Sequence, residues 1–351
     1  MEYRRLGRTD LKVSSLCLGT MTFGQQNSEA EGHAQMDYAV AQGINFLDTA
    51  ELYAIPPSPE TQGATERIIG SWFKARGNRD RIILASKICG RGPNTWFRDD
   101  GSPTRLTRKQ IFEAVDKSLR RLKTDYIDLY QIHFPERPMP WGSNPTRFSK
   151  GAYARPADET PIAEQLDAFA DVVKAGKIRH LGLSNESAWG TMRFVADSEA
   201  RGTPRVQSIQ NAYNLVNRSF ETALGEVALN EDVGLIAYSP LAQGYLTGKY
   251  LDGARPAGAR TTLFNRAQRY ETPGTDEAVR RYVALARESG LDPAQMALAF
   301  VDSRPFVTAT IIGATTMEQL RTDIASIDVR LAPEVEAGID AIHQSVGNPC
   351  P

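Results

Sequence analysis

Cysteine and histidine are scarce in this chain: its 351 residues include three of the first and four of the second. Cys17, Cys89 and Cys350 are too scattered for a disulfide framework or a structural zinc site. So few thiols suit a reducing cytoplasm. The histidines (His33, His133, His180 and His343) leave a metal-based barrel hydrolase short of ligands. His133 alone falls well at a strand end, and His180 lies mid-strand and reads as core. Charge of one sign is missing too. The 41 basic and 42 acidic side chains sum to a formal −1 with no block of either kind. Neither nucleic acid nor an anionic membrane is recommended as a partner. Long apolar runs are absent: Arg81-Ile82-Ile83-Leu84-Ala85 is strand-length, far short of a bilayer. No apolar stretch follows Met1–Arg5, so no secretory signal is expected. Also missing is Gly-x-Gly-x-x-Gly after the first strand, the mark of an open doubly wound sheet that binds dinucleotides.

What is present is an alternation of short apolar runs with longer amphipathic stretches. Strands are expected at 13–20, 45–49, 81–87, 126–133, 178–184, 206–211, 234–239 and 308–312. Helices are expected at 29–42, 66–75, 107–122, 161–175, 188–201, 220–230, 276–289 and 317–325. Eight strand-then-helix units predict a closed (β/α)8 barrel, a TIM barrel, as a single domain over residues 1–351. Leu235-Ile236-Ala237 and Ala309-Thr310-Ile311-Ile312 are apolar on both parities, as strands sandwiched under helices should be. Tyr3–Leu6, Gly7–Asp10 and Leu11–Ser15 read as an N-terminal hairpin that plugs the barrel's bottom. Four long loops follow strands, at 54–65, 90–106, 135–160 and 241–275. They fall on the C-terminal face, where barrel active sites are built.

Titratable residues sit at three successive strand ends. Asp48 ends the second strand with Tyr53 just beyond; Lys87 ends the third and His133 the fourth. Neighbouring strands are about 5 Å apart, so these side chains can converge. A phenol titrating near 10 is a poor acid at neutral pH. An adjacent ammonium is expected to lower that value, with Asp48 keeping Lys87 charged and His133 orienting a carbonyl oxygen. Each residue has a plainer use when taken alone. Asp48-Thr49 can cap a helix or form a turn, a strand-end lysine is usually solvated, and His133 can satisfy a loop. Their joint placement is the informative feature. Cys89 shares strand parity with Lys87 and reads as a buried structural thiol. Trp96, Trp141 and Phe148 either line a pocket or anchor their loops.

Several of these residues fall in longer motifs. Phe46-Leu47-Asp48-Thr49-Ala50-Glu51-Leu52-Tyr53 resembles the signature of the aldo-keto reductase family around its catalytic Asp and Tyr. Leu122–His133 resembles the second signature, and Ala85-Ser86-Lys87 the segment with the catalytic lysine. Gly63-Ala64-Thr65-Glu66 with Gly70 is similar to the family's Gly-x-x-Glu…Gly helix. The resemblance runs on through Gly176–Asn185 to Ile312-Gly313-Ala314-Thr315-Thr316. A Pro-rich insertion before Gln62-Gly63 resembles the bacterial Tas-type branch, with potassium-channel β subunits more distant.

The resemblance implies NADP(H) as cofactor, no metal and a small carbonyl compound as substrate. It places Tyr53, Lys87, Asp48 and His133 in the catalytic roles. Ser184, Asn185 and Gln210 match positions that hydrogen-bond the carboxamide of the nicotinamide, and Tyr238 matches the aromatic that stacks on its ring. Ser239, Leu241, Gln243, Gly244 and Lys249 would run beside the pyrophosphate. Ser184-Asn185 also reads as a helix cap, Tyr238 as core packing, while a strand-end amide such as Gln210 needs a partner. Gly244–Lys249 is one residue short of a phosphate-binding Gly…Gly-Lys loop and is followed by Tyr250, so that reading is rejected. At the 2′-phosphate the pattern departs. Gly313, Thr315 and Gln319 stand where many members carry cations, Arg260 is the substitute cation, and Asp323 replaces an Asn near the adenine. An NADP(H)-binding redox sensor with little turnover is the alternative function.

Overall fold

The computed structural model describes residues 1–139, 153–265 and 268–351. Trp141 and Phe148 lie outside the described residues. A hairpin opens the chain. Strands β1 (Tyr3–Arg5) and β2 (Lys12–Ser14) pair antiparallel, Tyr3 opposite Ser14. The single strand expected over 13–20 therefore divides: Val13 belongs to the hairpin, and β3 (Leu16–Gly19) begins the barrel.

Strand and helix then alternate as α1 (Glu29–Ala41), β4 (Phe46–Asp48), α2 (Ala64–Arg76), β5 (Ile83–Ile88) and α3 (Arg108–Leu122). Next come β6 (Ile127–Ile132), α4 (Ile162–Lys174), β7 (Ile178–Ser184), α5 (Ala188–Arg201), β8 (Val206–Gln210) and α6 (Leu224–Glu231). The chain continues with β9 (Gly234–Ala237), α7 (Arg260–Phe264), α8 (Thr275–Glu288), α9 (Pro293–Asp302) and β10 (Val307–Ile312). It finishes with α10 (Met317–Ala325) and α11 (Pro333–Val346). Strands β3 to β10 close as a parallel barrel in which β10 pairs back onto β3.

Local chemistry marks several helix starts. Ser28 and Glu31 form a reciprocal capping box on α1, Thr107 caps α3, and Asp292-Pro293 opens α9. Helices α7, α9 and α11 were not expected from the sequence. In α9, Met296 to Val301 are buried without interruption. A helix covered on nearly every side shows no amphipathic period.

The inside of the barrel is layered, and the layers set up the site. Leu6 and Val13 of the hairpin pack, fully buried, against Cys17, Phe46, Ala85, Leu129, Ile236 and Ala309. That apolar floor is the expected plug. Two residues further along each strand, the same face carries Asp48, Lys87 and Gln131 in place of Phe46, Ala85 and Leu129. Side chains alternate with a period of two, so an apolar layer is followed directly by a charged one. Gly182 makes room for it: a Cβ there would stand 2.8 Å from Ser208 Oγ and 3.0 Å from Gln131 Cγ. Outside the barrel a second core joins the strands to the helices through residues such as Trp72, Phe169, Phe194 and Ile339.

Candidate active site

Lys87, fully buried, is the hub of the charged layer. Its Nζ donates to Asp48 Oδ2 at 2.6 Å, to the carbonyl of Thr49 at 2.8 Å and to Tyr53 Oη at 3.3 Å. The other oxygen of Asp48 accepts from Gln210 Nε2 at 2.7 Å and Gln131 Nε2 at 3.2 Å. Burial opposes the lysine's charge, but Asp48 and then Tyr53 outweigh it, leaving its pKa above the ordinary value. The ammonium therefore persists. Tyr53 and His133 meet edge to face with ring centres 5.7 Å apart. Burial, then the Lys87 charge, holds His133 well below the usual imidazole range, so the ring is neutral. Its Nδ1 is shielded and has no partner among the described residues.

The expectation for Tyr53 needs correction. Burial raises its pKa first, Lys87 lowers it, Asp48 raises it again, and the net value lies above the ordinary phenol. The ammonium limits the rise rather than reversing it. His180 also departs from the core reading, being only partly buried in β7.

The remaining site residues line one path across the barrel mouth. Ser187, not Ser184 or Asn185, caps α5. The capping use of that pair is therefore excluded. Ser184 Oγ instead donates to the Gln210 carbonyl at 2.8 Å. Asn185, at φ 51°, donates to the carbonyl of His133 at 2.8 Å and accepts from Tyr238 Oη at 2.7 Å. Gln210, expected beside the carboxamide, also reaches the catalytic layer, its amide nitrogen donating to Asp48 at 2.7 Å. Beyond Tyr238 the backbone is left-handed at Ser239, Ala242, Gln243 and Gly244, conformations that non-glycine residues keep only where surroundings enforce them. A Cβ on Gly244 would stand 2.7 Å from Lys249 Cε, so only glycine lets the lysine lie along this turn. Gln243 Oε1 is buried without a partner among the described residues. Lys249 feels both Arg260 and Asp323. Burial, then Asp292, pushes Asp323 up to about 7 against the pull of Lys249. Past Gly313, Thr315 donates to Gln319 Oε1 at 2.9 Å while Thr316 caps α10. Leu241 is partly buried at the start of the turn.

The loops over this path are tied down by buried ion pairs that the sequence did not reveal. Glu51, inside the first signature, binds Arg98 through two 2.9 Å bonds and accepts from the Cys89 amide at 2.8 Å. Cys89 is a free, buried thiol beside it. Glu136 holds Arg91, Arg105 and the Leu106 amide, joining loop 90–106 to the segment after β6. Trp96 is exposed and stacks on Phe97. Gln131 was within reach of sequence reasoning, since it lies two residues before His133 and so on the same strand face. The loop arginines had no periodic signal to betray them.

The chain matches the Aldo/keto reductase family over residues 15–344. It belongs to that family. Members are oxidoreductases that generally reduce carbonyl groups with NADPH. Protein tas of Escherichia coli (strain K12) is 51% identical over 356 residues, spanning all of both chains. A probable voltage-gated potassium channel subunit beta of Arabidopsis thaliana is 34% identical, covering 98% of this chain and 97% of its own. A versiconal hemiacetal acetate reductase of Aspergillus parasiticus is 31% identical, covering 95% and 94% respectively. No metal-ligand cluster occurs among the described residues, and no helix among them is long and apolar enough to cross a membrane. The residues present fit a dinucleotide. Among the described residues Gln243 Oε1 and His133 Nδ1 have no partner, and the Gly244–Lys249 turn brings a lysine alongside; a ligand with hydroxyl donors and anionic phosphates suits these groups.

Proposed function

We propose that this aldo-keto reductase reduces aldehydes or ketones to alcohols with NADPH, as a single barrel domain acting in a reducing cytoplasm. The buried Lys87–Asp48 pair beneath Tyr53 carries the reading. Bound NADPH would supply the hydride. Tyr53 Oη gives its proton to the carbonyl oxygen, and the resulting phenolate rests against Lys87 Nζ. Asp48, braced by Gln131 and Gln210, keeps that ammonium charged and in place. Neutral His133 offers one ring N–H to the same oxygen and orients it before transfer. Tyr238 would form the platform for the nicotinamide, with Asn185 and Ser184 beside its carboxamide. Lys249 and Arg260 would meet the phosphates, and Gly313, Thr315, Gln319 and Asp323 the adenosine end.

Replacing Tyr53 with Phe is expected to cut kcat by about a thousandfold or more while NADPH affinity stays within about twofold. Undiminished turnover in that variant overturns the mechanism. The likeness to a channel β subunit supports a second reading, a redox sensor with slow turnover. NADPH oxidation across aromatic, aliphatic and sugar-derived carbonyls separates the two. Tight cofactor binding without oxidation above background favours the sensor.

A further inference from the structure

Arg269 reaches the site from a single 3-10 turn (Gln268–Tyr270) between α7 and α8. Its Nη1 donates to Tyr238 Oη at 3.1 Å. That hydroxyl sends its own hydrogen to Asn185 Oδ1 at 2.7 Å, and Asn185 donates on to the His133 carbonyl at 2.8 Å. The donors all point one way, from the guanidinium toward the backbone of His133. Tyr238 is thereby fixed at its far edge, with a cation on its oxygen.

That cation has no carboxylate partner among the described residues. Arginine stays protonated at any ordinary pH. The groups whose charge bears on it most are Tyr238, Tyr270 and Cys350. Burial raises the pKa of both Tyr270 and Cys350, so both are neutral near pH 7. Arg269 Nε is shielded from solvent and has no partner among the described residues. Other arginines of the site loops are matched: Arg91 and Arg105 with Glu136, Arg98 with Glu51, Arg137 with Glu186. Glu271, two residues from Arg269, is occupied by Arg255 and the Tyr245 hydroxyl, each at 2.7 Å. A partly buried, unmatched charge is costly to keep. The turn that carries it is nevertheless held firmly. Tyr270 is fully buried, Thr272 Oγ1 donates to the Pro349 carbonyl at 2.5 Å, and the Cys350 amide donates to Val216 at 3.1 Å.

The geometry points to Arg269 as the residue that makes this site discriminate between the two redox states of its cofactor. The inference rests on the reading of Tyr238 as the nicotinamide platform. An oxidised nicotinamide ring carries a positive charge and a reduced one carries none. A guanidinium at the platform's edge repels the first and is indifferent to the second, an effect enhanced where water is excluded. Reduced cofactor is held, and oxidised cofactor is pressed to leave once the hydride has gone. Arg269 is thus a positioning and charge-selecting residue that touches Tyr238 rather than the reacting atoms.

The test is a comparison of Kd for NADPH and for NADP+ on the full chain, by isothermal titration calorimetry and quenching of tryptophan fluorescence. Wild-type protein should bind NADPH several-fold more tightly than NADP+; equal affinities overturn the inference with no variant needed. Arg269→Gln should shrink the ratio of the two constants by about tenfold, chiefly through tighter NADP+. Arg269→Lys should restore most of the ratio. A merely structural arginine would weaken both nucleotides in parallel in R269Q, and an unchanged ratio with binding intact removes the inference alone. Failure of wild-type protein to bind either nucleotide removes the reading of the Tyr238 platform as well.

Discussion

The two ends of the site are built on opposite terms. At the proton-donating end the charges answer one another within the protein: Lys87 to Asp48, Asp48 to two glutamines, Tyr53 to Lys87. Beyond Tyr238, Lys249 and Arg260 repel each other, and Gln243 Oε1 has no partner among the described residues. Asp323 there is 4% exposed with its pKa pushed up to about 7. One end is complete before any ligand arrives. The other sets two like charges and a buried carboxyl side by side.

This contrast can be broken by making one exchange at both ends. Asp48→Asn strips Lys87 of its counter-charge, and an uncompensated buried ammonium costs about 3–5 kcal/mol. The urea midpoint should fall accordingly, and kcat should drop by at least about a hundredfold. Asp323→Asn should do the reverse. The unfolded chain releases this proton near the ordinary value of 3.8, whereas the folded protein keeps it to about 7. Native stability therefore declines as pH rises from about 4 through about 7. Above that window the cost is complete, up to about 4 kcal/mol. The Asn variant should be more stable than wild type at pH 8 and gain little at pH 4. An equal gain at both pH values, measured by urea unfolding, would dismiss the buried-carboxyl account. Gly244→Ala sharpens the contrast on a smaller scale. Its Cβ would crowd Lys249 at a backbone φ of 96°. NADPH should bind about tenfold more weakly with kcat at saturation nearly unchanged. The smallest effect expected is cofactor choice. With Arg260 proposed at the 2′-phosphate and Asp323 opposing it, NADPH should bind more tightly than NADH by about tenfold or less. Equal dissociation constants for NADPH and NADH would remove the assignment.

The same contrast explains what could be read from the sequence. Asp48, Lys87 and His133 were legible because strand period and strand ends place them together, and their signature segments are contiguous. The barrel was legible from its repeated apolar runs. Helix α9 was not, because burial on nearly every side erases the pattern that marks a helix. The partners of Glu51 and Glu136 come from loops in which no periodicity relates Arg98 or Arg105 to the strand ends. Gln210 was placed at the cofactor because its position matched, but its bond to Asp48 depends on barrel closure, which relates β8 to β4 across the interior. Tyr53 was expected to be a stronger acid through Lys87. How deeply the phenol is buried is a three-dimensional quantity, and it decided the sign.

The hairpin at the floor has a consequence for traffic. With Leu6 and Val13 stoppering one end, the barrel is a cup and not a tube. Whatever reaches Tyr53 must come and go by the rim, past the loops that Glu51 and Glu136 hold in place. On the proposed function, dinucleotide and carbonyl compound would both pass that rim, so the traffic of each would bear on the other.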